Sequence, residues 1–382
     1  MIQASEFIER ASAHGFDWWA GVPCSFLTPF INYVIGDEKL TYVSAANEGD
    51  AVAAAAGAAL GGRRAVAIMQ NSGLGNAVSP LTSLTWVFRL PILLIITWRG
   101  EPGLADEPQH ELMGDVTPAM LETMQIPWEV FPESADAIEP ALKRVNKTMA
   151  ETGRPYALIM KKGTVAEYAL TDQPPPGHSH GAKAYTPFKR NADELPSRAD
   201  ALKHIVALTP EAETVVIATT GHSGRELYSV ADRVNQLYMV GSMGCAPVLG
   251  LGLAMARPDL RVIVIDGDGA ALMRLGAFAT VGAYGGNNLV HLLLDNSEHA
   301  STGGQATVSA GMSFAAIASG CGYASVFEGD DLTVLDAALA QDKQGPAFAQ
   351  LRIKPGPPAD KLPRPTQSPA EIRARLMQHI GA

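Results

Sequence analysis

The order of apolar and polar positions predicts a strand-helix-strand unit in the second half of the chain. The β-branched run 262–265 is typical of a buried parallel strand and stops at the turn 266–269. From Ala270 to Tyr284 apolar residues recur at three- and four-residue spacing, which predicts a helix. The polar segment 285–288 ends that helix, and the apolar run 289–294 predicts a second buried strand. This stretch is therefore predicted to be one βαβ unit.

A similar alternation extends over most of the chain. The N-terminal residues predict an amphipathic helix with Phe7, Ile8 and Ala11 on one face. Helices are also predicted at 48–60 and 246–256, and strands at 18–22, 41–44, 65–69, 92–97, 215–218 and 348–353. Strands that alternate with helices indicate parallel sheets covered on both faces. The predicted fold class is α/β, with doubly wound parallel sheets.

The alternation is interrupted near the middle of the chain. Residues 166–196 contain a proline triplet and show no apolar periodicity, which predicts a linker. A length of 382 residues also exceeds that of one ordinary domain. We therefore expect a domain at 1–165, a linker at 166–196 and a second domain of similar size at 197–382.

Composition and charge narrow the classes of partner. A hydrophobic content of 47% against 18% charged residues is typical of a globular protein with substantial cores. The net charge of −10 argues against nucleic acid and against an anionic membrane surface as partners, and no apolar run has the length of a membrane helix. The three cysteines form no CxxC motif, and the N-terminus has no signal-peptide pattern. We expect a cytoplasmic protein with a small-molecule ligand.

Candidate metal ligands follow both strands of the βαβ unit. Because the carboxyl ends of parallel strands open on the same edge of a sheet, Asp268 and Asn296 are expected side by side. A carboxylate and an amide oxygen suit Mg²⁺, and the N-terminus of the helix at Ala270 would attract a phosphate group. The pattern predicts a site for a metal-bound diphosphate. The alternative is an aspartate that only caps the helix.

The run Gly267-Asp268-Gly269, followed at the matching distance by Asp295-Asn296, resembles the signature of the thiamine diphosphate-dependent enzymes. That resemblance implies Asp268 and Asn296 as side-chain ligands of Mg²⁺, with the backbone carbonyl of Glu298 as a third. It also implies that the amides of Gly269 and Ala270 face the diphosphate. One departure is Ser297-Glu298, which stands where many members have a glycine.

In the first half, Glu48 stands where a predicted strand gives way to an alanine-rich helix. A glutamate at a helix start is ordinary macrodipole chemistry. The resemblance instead implies that Glu48 binds N1′ of the cofactor aminopyrimidine and promotes deprotonation of the thiazolium C2. A largely buried carboxyl group would suit that proton-sharing role.

Three further segments of the second half gain a role from the resemblance. Gly221, His222 and Ser223 follow a predicted strand and would form a second wall for the diphosphate. The Gly241 carbonyl would accept from the 4′-amino group, and Met243 would hold the cofactor in its bent conformation. Without the resemblance, Met243 is a core filler.

The resemblance covers nearly the whole chain and is closest to the enzymes that decarboxylate 3-phosphonopyruvate or 3-sulfopyruvate. It implies an anionic 2-keto acid as substrate, thiamine diphosphate and Mg²⁺ as cofactors, and no middle domain. The phosphono acid, a precursor of phosphonate natural products, is the preferred substrate; alternatives are the sulfo acid, or a carboligase or noncatalytic subunit. It further implies at least a homodimer, in which Glu48 and Asp268 of one site come from different chains.

Such a substrate needs a small polar or basic pocket for its second anionic group. The candidates are Ser25, Asn71, Arg99 and His110, all in predicted loops of the first half. Asn71 lies in a glycine-rich turn, for which turn chemistry is an equal explanation. His110 is also a candidate for proton transfer, although a lone histidine in a loop is more typically a surface residue. His291, within an apolar strand, is expected to be a core histidine.

Overall fold

The chain forms two compact units, Met1–Pro175 and Pro176–Ala382. The structure, a computed structural model, describes residues 1–171, 184–187, 194–340, 344–358 and 361–382. The boundary between the units falls within the predicted linker. Of that predicted linker, residues 172–183 and 188–193 lie outside the described residues.

The first unit is built on a six-stranded parallel sheet with the strand order β2-β1-β3-β4-β6-β5. Its strands are β1 Phe16–Gly21, β2 Thr41–Ser44, β3 Arg64–Gln70, β4 Leu93–Thr97, β5 Trp128–Val130 and β6 Tyr156–Met160. Its helices are α1 Ala4–Ala13, α2 Thr28–Gly36, α3 Glu48–Leu60, α4 Leu74–Pro80, α5 Trp86–Phe88, α6 Glu111–Thr123 and α7 Ala135–Thr152. Short 3₁₀ segments at Asn71–Gly73 and Pro108–His110, and a π-helical turn at Leu81–Thr85, complete the unit.

The predicted apolar face of helix α1 packs in the core of the first unit. Helix α1 buries Ala4, Phe7, Ile8 and Ala11, which confirms the predicted amphipathic helix. The ring of Phe7 stacks on Phe30 at 5.4 Å and packs against Phe131 at 4.5 Å. In α3 every residue after Glu48 is buried, because its small side chains allow close contact with the neighbouring strands and with α4.

The second unit contains a seven-stranded parallel sheet with the order β7-β14-β15-β11-β10-β8-β9. Its strands are β7 Ala184–Thr186, β8 Thr214–Ala218, β9 Gln236–Tyr238, β10 Arg261–Gly267, β11 Leu289–Asp295, β14 Ser325–Gly329 and β15 Ala347–Arg352, and a separate antiparallel pair is formed by β12 Glu298–His299 and β13 Gln305–Ala306. Its helices are α8 Arg198–Leu208, α9 His222–Val230, α10 Ala246–Ala256, α11 Asp268–Met273, α12 Gly276–Tyr284, α13 Phe314–Gly320, α14 Thr333–Leu339 and α15 Pro369–Ile380. Both sheets confirm the predicted α/β class.

Two predicted elements differ from the structure. Residues 184–186 of the predicted linker form strand β7, which pairs with β14. The single helix expected over 270–284 is two helices, α11 and α12, and the first begins at Asp268. Arg274 leaves the helical region, with φ −136° and ψ 58°, two residues before the weak helix former Gly276 begins α12. The break lets α12 place Phe278 against the ring of Phe348, at 5.5 Å in the core.

His291 is a core histidine, as predicted, and it is only 1% exposed. Its Nδ1 lies 3.0 Å from the Tyr323 hydroxyl, and its Nε2 lies 3.3 Å from Oδ2 of Asp266. Buried polar groups need such partners because an unpaired one costs free energy. This network lies directly beneath the turn that leads to Asp268.

Two predictions about whole-chain properties can be compared with the structure. In the described part of the chain, no helix is both long and apolar enough to cross a membrane. Among the described residues, Cys24, Cys245 and Cys321 form no disulfide bond.

Candidate active site

The carboxyl edge of the second sheet brings the predicted metal ligands together. Strands β10 and β11 are adjacent and parallel, and Gly267 is in register with Leu294. The residues that follow these positions, Asp268 and Asn296, therefore emerge at the same edge. Both are almost fully buried, at 2% and 8% exposed. The predicted juxtaposition is confirmed.

Three oxygen atoms converge at this edge. The Asn296 amide oxygen lies 3.0 Å from the Glu298 carbonyl oxygen and 3.2 Å from Oδ1 of Asp268. Three acceptors this close repel one another unless a cation lies between them, or unless the amide turns over so that its nitrogen donates to both. Oxygen ligands at right angles around Mg²⁺, each about 2.1 Å from the ion, are about 3.0 Å apart. The spacing fits a magnesium ion held by these residues.

The carboxylate of Asp268 is held from its other side. Thr307 Oγ1 donates to Oδ2 of Asp268 at 2.5 Å, and Ser309 Oγ donates to the same atom at 3.2 Å. Burial, and to a lesser degree the nearby charge of Asp295, raises the pKa of Asp268, although both hydroxyl groups oppose that rise. A cation at Oδ1 would relieve the desolvation of this carboxylate.

Asp295, next to the proposed ligand Asn296, has a different role. Its Oδ2 accepts from Gln350 Nε2 at 2.8 Å, and its Oδ1 accepts from the backbone nitrogen of Ser297 at 3.0 Å. Ser297 has φ 57°, in the left-handed region that favours glycine. The departure noted at this position therefore places a serine in a strained conformation, and its hydrogen bonds to Asp295 help to hold it there.

A cleft lies beside these oxygens, and we name it the Asp268 cleft. The cleft is lined by residues that the sequence analysis assigned to the diphosphate site. These are Gly221, His222 and Ser223 at the start of α9, and Gly269 and Ala270 at the start of α11. Two helix N-termini thus open on one cleft, an arrangement that favours an anionic ligand. Their predicted contact with a diphosphate stays a prediction.

Two polar atoms beside the cleft are buried without a partner among the described residues. These atoms are Oγ1 of Thr219 and Nδ1 of His222. Burial lowers the pKa of His222, and the charges of Arg198 and Arg225 lower it further. A neutral imidazole and a hydroxyl group in this position would satisfy their hydrogen bonds with an oxygen-rich ligand such as a diphosphate.

Gly269 lies so close to two neighbouring side chains that a β-carbon at this position would collide with them. A β-carbon at this position would lie 2.8 Å from Nδ1 of His299 and 3.3 Å from Cε of Met243. Met243 also lines the Asp268 cleft, so it is not the core filler that composition alone would favour. Gly241 is half-buried and is not among the residues that line the cleft. Its predicted contact with the cofactor stays a prediction.

In the first unit, Glu48 begins α3, whose N-cap is Asn47. The Asn47 side chain accepts from the Asp50 backbone nitrogen at 3.0 Å. A β-carbon at Gly73 would lie 2.1 Å from Oε1 of Glu48, so only glycine permits this approach. Asn76 Nδ2 donates to Oε2 at 2.8 Å. Within the described part of the chain, Oε1 accepts no hydrogen bond, and the residue is half-buried rather than largely buried.

The Arg99 guanidinium is paired with Asp106. Its Nε donates to Oδ2 of Asp106 at 2.7 Å, and a second bond joins Nη2 to Oδ1 of the same carboxylate. This bidentate pair holds the pKa of Asp106 well below its usual range. Nη1 of Arg99 lies 3.4 Å from the hydroxyl of the exposed Ser25. Ser25 and Arg99 are thus brought together, as two of the four candidates for an anion pocket.

The other two candidates, Asn71 and His110, are not surface loop residues. Asn71 is fully buried, and its Nδ2 donates to the Arg99 carbonyl at 2.8 Å and to Thr117 Oγ1 at 3.1 Å. Its amide nitrogen is used inside the unit, and its suggested contact with the substrate stays a prediction. His110 is 5% exposed, and its Nδ1 has no partner among the described residues. The expectation of a surface histidine is therefore wrong.

Several residues of the site carried no signal in the sequence. Thr307 and Ser309 reach Asp268 because the pairing of Glu298 with Ala306 turns the chain back over α11. Gly73 reaches Glu48 across two helices, and Arg198 lines the Asp268 cleft from the start of α8. These contacts depend on tertiary packing alone.

Comparison with known proteins agrees with this arrangement. Residues 3–119 match the model described as thiamine pyrophosphate enzyme, N-terminal TPP binding domain. Residues 220–351 match the C-terminal TPP binding domain of the same enzymes. Thiamine pyrophosphate is another name for thiamine diphosphate.

Individual relatives cover nearly the whole chain. The phosphonopyruvate decarboxylase of Streptomyces viridochromogenes is 44% identical over 384 residues, which is 100% of this chain and 95% of that protein. The sulfopyruvate decarboxylase of Methanosarcina acetivorans is 30% identical over 78% of this chain and 77% of that protein. The crystal structure of benzoylformate decarboxylase from Polynucleobacter necessarius shares the fold, with a TM-score of 0.72 at 12% identity over 94% of this chain and 100% of that one. The chain therefore belongs to the thiamine pyrophosphate enzyme family, within the group that contains the phosphonopyruvate decarboxylases.

Proposed function

We propose that this protein decarboxylates 3-phosphonopyruvate to phosphonoacetaldehyde and CO₂, with thiamine diphosphate and Mg²⁺ as cofactors. The observation that supports the cofactor assignment is the convergence of the Asn296, Asp268 and Glu298 oxygens beside two helix N-termini. The substrate assignment rests on the phosphonopyruvate decarboxylase named above, which matches 100% of this chain. Such a reaction would serve the synthesis of phosphonate natural products.

In this proposal the residues of the second unit hold the metal and the diphosphate. Asp268, Asn296 and the Glu298 carbonyl ligate Mg²⁺, and Thr307 and Ser309 orient the carboxylate. The orphaned Thr219 hydroxyl and His222 ring nitrogen fit acceptor oxygens of the diphosphate. The donor set contains no thiolate, and in the described residues no three His, Cys, Asp or Glu side chains cluster as a metal site. A hard cation such as Mg²⁺ suits this all-oxygen set.

When bound, thiamine diphosphate supplies the electron sink for the electrons released by loss of the carboxylate. The role assigned to Glu48 is to hold a proton at N1′ of the aminopyrimidine. Its Oε1 accepts nothing from the described residues, while Asn76 fixes Oε2. Met243, whose Cε lies close to Gly269, would support the bent form of the cofactor. The Gly241 carbonyl would accept from the 4′-amino group.

The phosphonate of the substrate is assigned to the surface that Arg99 and Ser25 share. Their side chains are 3.4 Å apart, and the Arg99 guanidinium also lies 4.8 Å from the centre of the Phe26 ring. A doubly charged anion would compete with Asp106 for Arg99. His110, buried with a free Nδ1 among the described residues, is assigned to proton transfer.

Sulfopyruvate is the second candidate substrate. Phosphonate and sulfonate are both tetrahedral anions that differ chiefly by one charge, and the Arg99 surface accepts either shape. The higher identity to the phosphonopyruvate enzyme favours the phosphono acid. Carboligase activity is a third candidate function. It would need a further pocket for the acceptor substrate.

The remaining assignments concern the whole protein. We propose a cytoplasmic homodimer or larger oligomer in which different chains contribute Glu48 and Asp268 to one site. The domain limits proposed are 1–165 and 197–382, with 166–196 between them. Sedimentation and cross-linking of the full chain would measure the oligomer.

The decisive experiment compares three substrates. Release of CO₂ and aldehyde is measured with 3-phosphonopyruvate, 3-sulfopyruvate and pyruvate, each with and without thiamine diphosphate and Mg²⁺. Cofactor-dependent turnover that favours 3-phosphonopyruvate is the expected result. Preference for 3-sulfopyruvate would replace the substrate and keep the mechanism, whereas no turnover despite tight cofactor binding would contradict the proposed function.

A further inference from the structure

Arg198 is a nearly buried cation that lines the Asp268 cleft. The proposed function assigns it no role. It begins α8, and a capping box between Ser197 and Asp200 holds that helix start in place. The backbone nitrogen of Lys354 donates to the Pro196 carbonyl at 2.9 Å, which ties this segment to the end of β15. Arg198 therefore stands at the same sheet edge as Asn296, although 98 residues separate them in sequence (296 − 198).

The charge of Arg198 is only partly used by its neighbours. Its Nε donates to Oε2 of Glu226 at 2.7 Å, and both side chains are about nine-tenths buried, at 10% and 9% exposed. Within the described part of the chain this is the one hydrogen bond that the Arg198 side chain makes. The Glu226 contact thus fixes the guanidinium by Nε and leaves the outer nitrogens available to the cleft.

The neighbours of Arg198 indicate which ligand it faces. The same cleft contains Thr219 and His222, whose orphaned polar atoms lie beside the start of α9. Arg198 is also close enough to His222 to disfavour a charged imidazole there. In the proposed site, Mg²⁺ and Asp268 together carry a single net positive charge, which is less than the negative charge of a diphosphate. A further fixed cation is needed at this end.

We propose that Arg198 binds the diphosphate of the cofactor through its outer guanidinium nitrogens, with Glu226 as the residue that positions it. This inference rests on the cofactor site of the proposed function and does not depend on which 2-keto acid is the substrate. It makes Arg198 a determinant of diphosphate binding, supplied by the start of α8 and not by the turn that would bind the metal.

The test uses the full-length protein stripped of cofactor, with inorganic pyrophosphate and thiamine diphosphate as separate probes at fixed Mg²⁺. Calorimetry gives a Kd for each. Loss of a charge-assisted bidentate contact predicts that R198Q weakens both ligands by about tenfold to a hundredfold. R198K, which keeps the charge without the planar fork, should fall between R198Q and the natural protein. The salt dependence of pyrophosphate binding should also decrease in R198Q.

Two further variants control for folding and for general charge. R198Q alone leaves Glu226 buried without its partner, so R198Q/E226Q restores a neutral hydrogen-bonded pair. This double variant should unfold near the temperature of the natural protein and still bind pyrophosphate weakly. R225Q removes a second cation close to His222, but Arg225 donates to the carbonyl of Leu362 outside the cleft. It should leave pyrophosphate binding within about twofold.

Pyrophosphate binding by R198Q/E226Q that matched the natural protein would overturn the proposal. Equal weakening by R225Q would overturn it too, because the effect would then be general electrostatics. Failure of the natural protein to turn over any of the three 2-keto acids, with the R198Q effect intact, would count against the proposed function alone.

Discussion

Thr307 Oγ1 donates a 2.5 Å hydrogen bond to Oδ2 of Asp268, and both side chains are buried. The bond fixes the rotation of the carboxylate, so that Oδ1 faces the Asn296 amide at 3.2 Å. A ligand that is already oriented binds a metal more tightly than one that must be ordered on binding. Thr307, which directly follows β13, would thus prepare the proposed metal site without being a ligand itself.

We expect T307V to weaken the binding of Mg²⁺ in the presence of thiamine diphosphate by about tenfold or more, because the isosteric valine cannot donate to Asp268. T307S keeps the hydroxyl and should retain most of the affinity. Titration of cofactor binding with Mg²⁺ measures both variants. Equal Mg²⁺ affinity in T307V and the natural protein would show that the hydrogen bond does not prepare the site.

The approach of Gly73 to Glu48 gives a second prediction. In G73A the new β-carbon would lie 2.1 Å from Oε1, so the carboxylate must move away from its position. We expect cofactor-dependent decarboxylation to fall by about a hundredfold, since small displacements of catalytic groups have effects of this size. Pyrophosphate binding should not change.

Gly75 is the matched control for Gly73. It lies two residues further along the chain, and a β-carbon there would meet nothing within 4 Å. G75A should therefore keep its activity. Similar losses in G73A and G75A would point to a general disturbance of α4 instead of displacement of Glu48.

Replacement of the proposed proton-holding residue tests the central assignment. We expect E48Q to lose decarboxylation by a factor of about 10² to 10⁴, the range for loss of a general acid-base group. Because Glu48 is outside the Asp268 cleft, the Kd for pyrophosphate should stay the same. Steady-state turnover and calorimetry report the two effects separately. An E48Q enzyme with normal turnover would refute the role given to Glu48.

The ion pair between Arg99 and Asp106 predicts a pH response of the segment 100–107. Arg99 lowers the folded-state pKa of Asp106, so its stabilising effect is fully present above the ordinary aspartate pKa and is lost only as pH falls through the lower value. Amide exchange in this segment, corrected for intrinsic rates, should therefore be constant from about pH 8 to about pH 5.

D106N removes the charge and should raise amide exchange in the same segment at every pH in that range. Asp115 is exposed on α6, and D115N is the matched control without an expected effect. Exchange in D106N that equals that of D115N would show that the ion pair does not hold this segment. Mass spectrometry of the peptides resolves the comparison.

Local patterns predicted most of the fold and the centre of the site. The runs 41–44 and 48–60 form the expected strand and helix, because β-branched and alanine-rich stretches have strong local preferences. Asp268 and Asn296 could be placed together because successive strands of a βαβ unit are adjacent and parallel. The break between α11 and α12 was missed, since periodicity does not show where a helix changes direction.

The sequence by itself determined the α/β fold class and the juxtaposition of Asp268 with Asn296, because each depends on residues that are close in the chain or joined by one crossover. Only the tertiary structure decided that Asn71 donates inside its unit, that Asp106 pairs with Arg99, that Arg198 lines the Asp268 cleft, and that Thr307 reaches the Asp268 carboxylate. The physical reason is separation along the chain. Such contacts form when whole elements pack, and no residue pattern within a single element specifies which distant side chain will meet it.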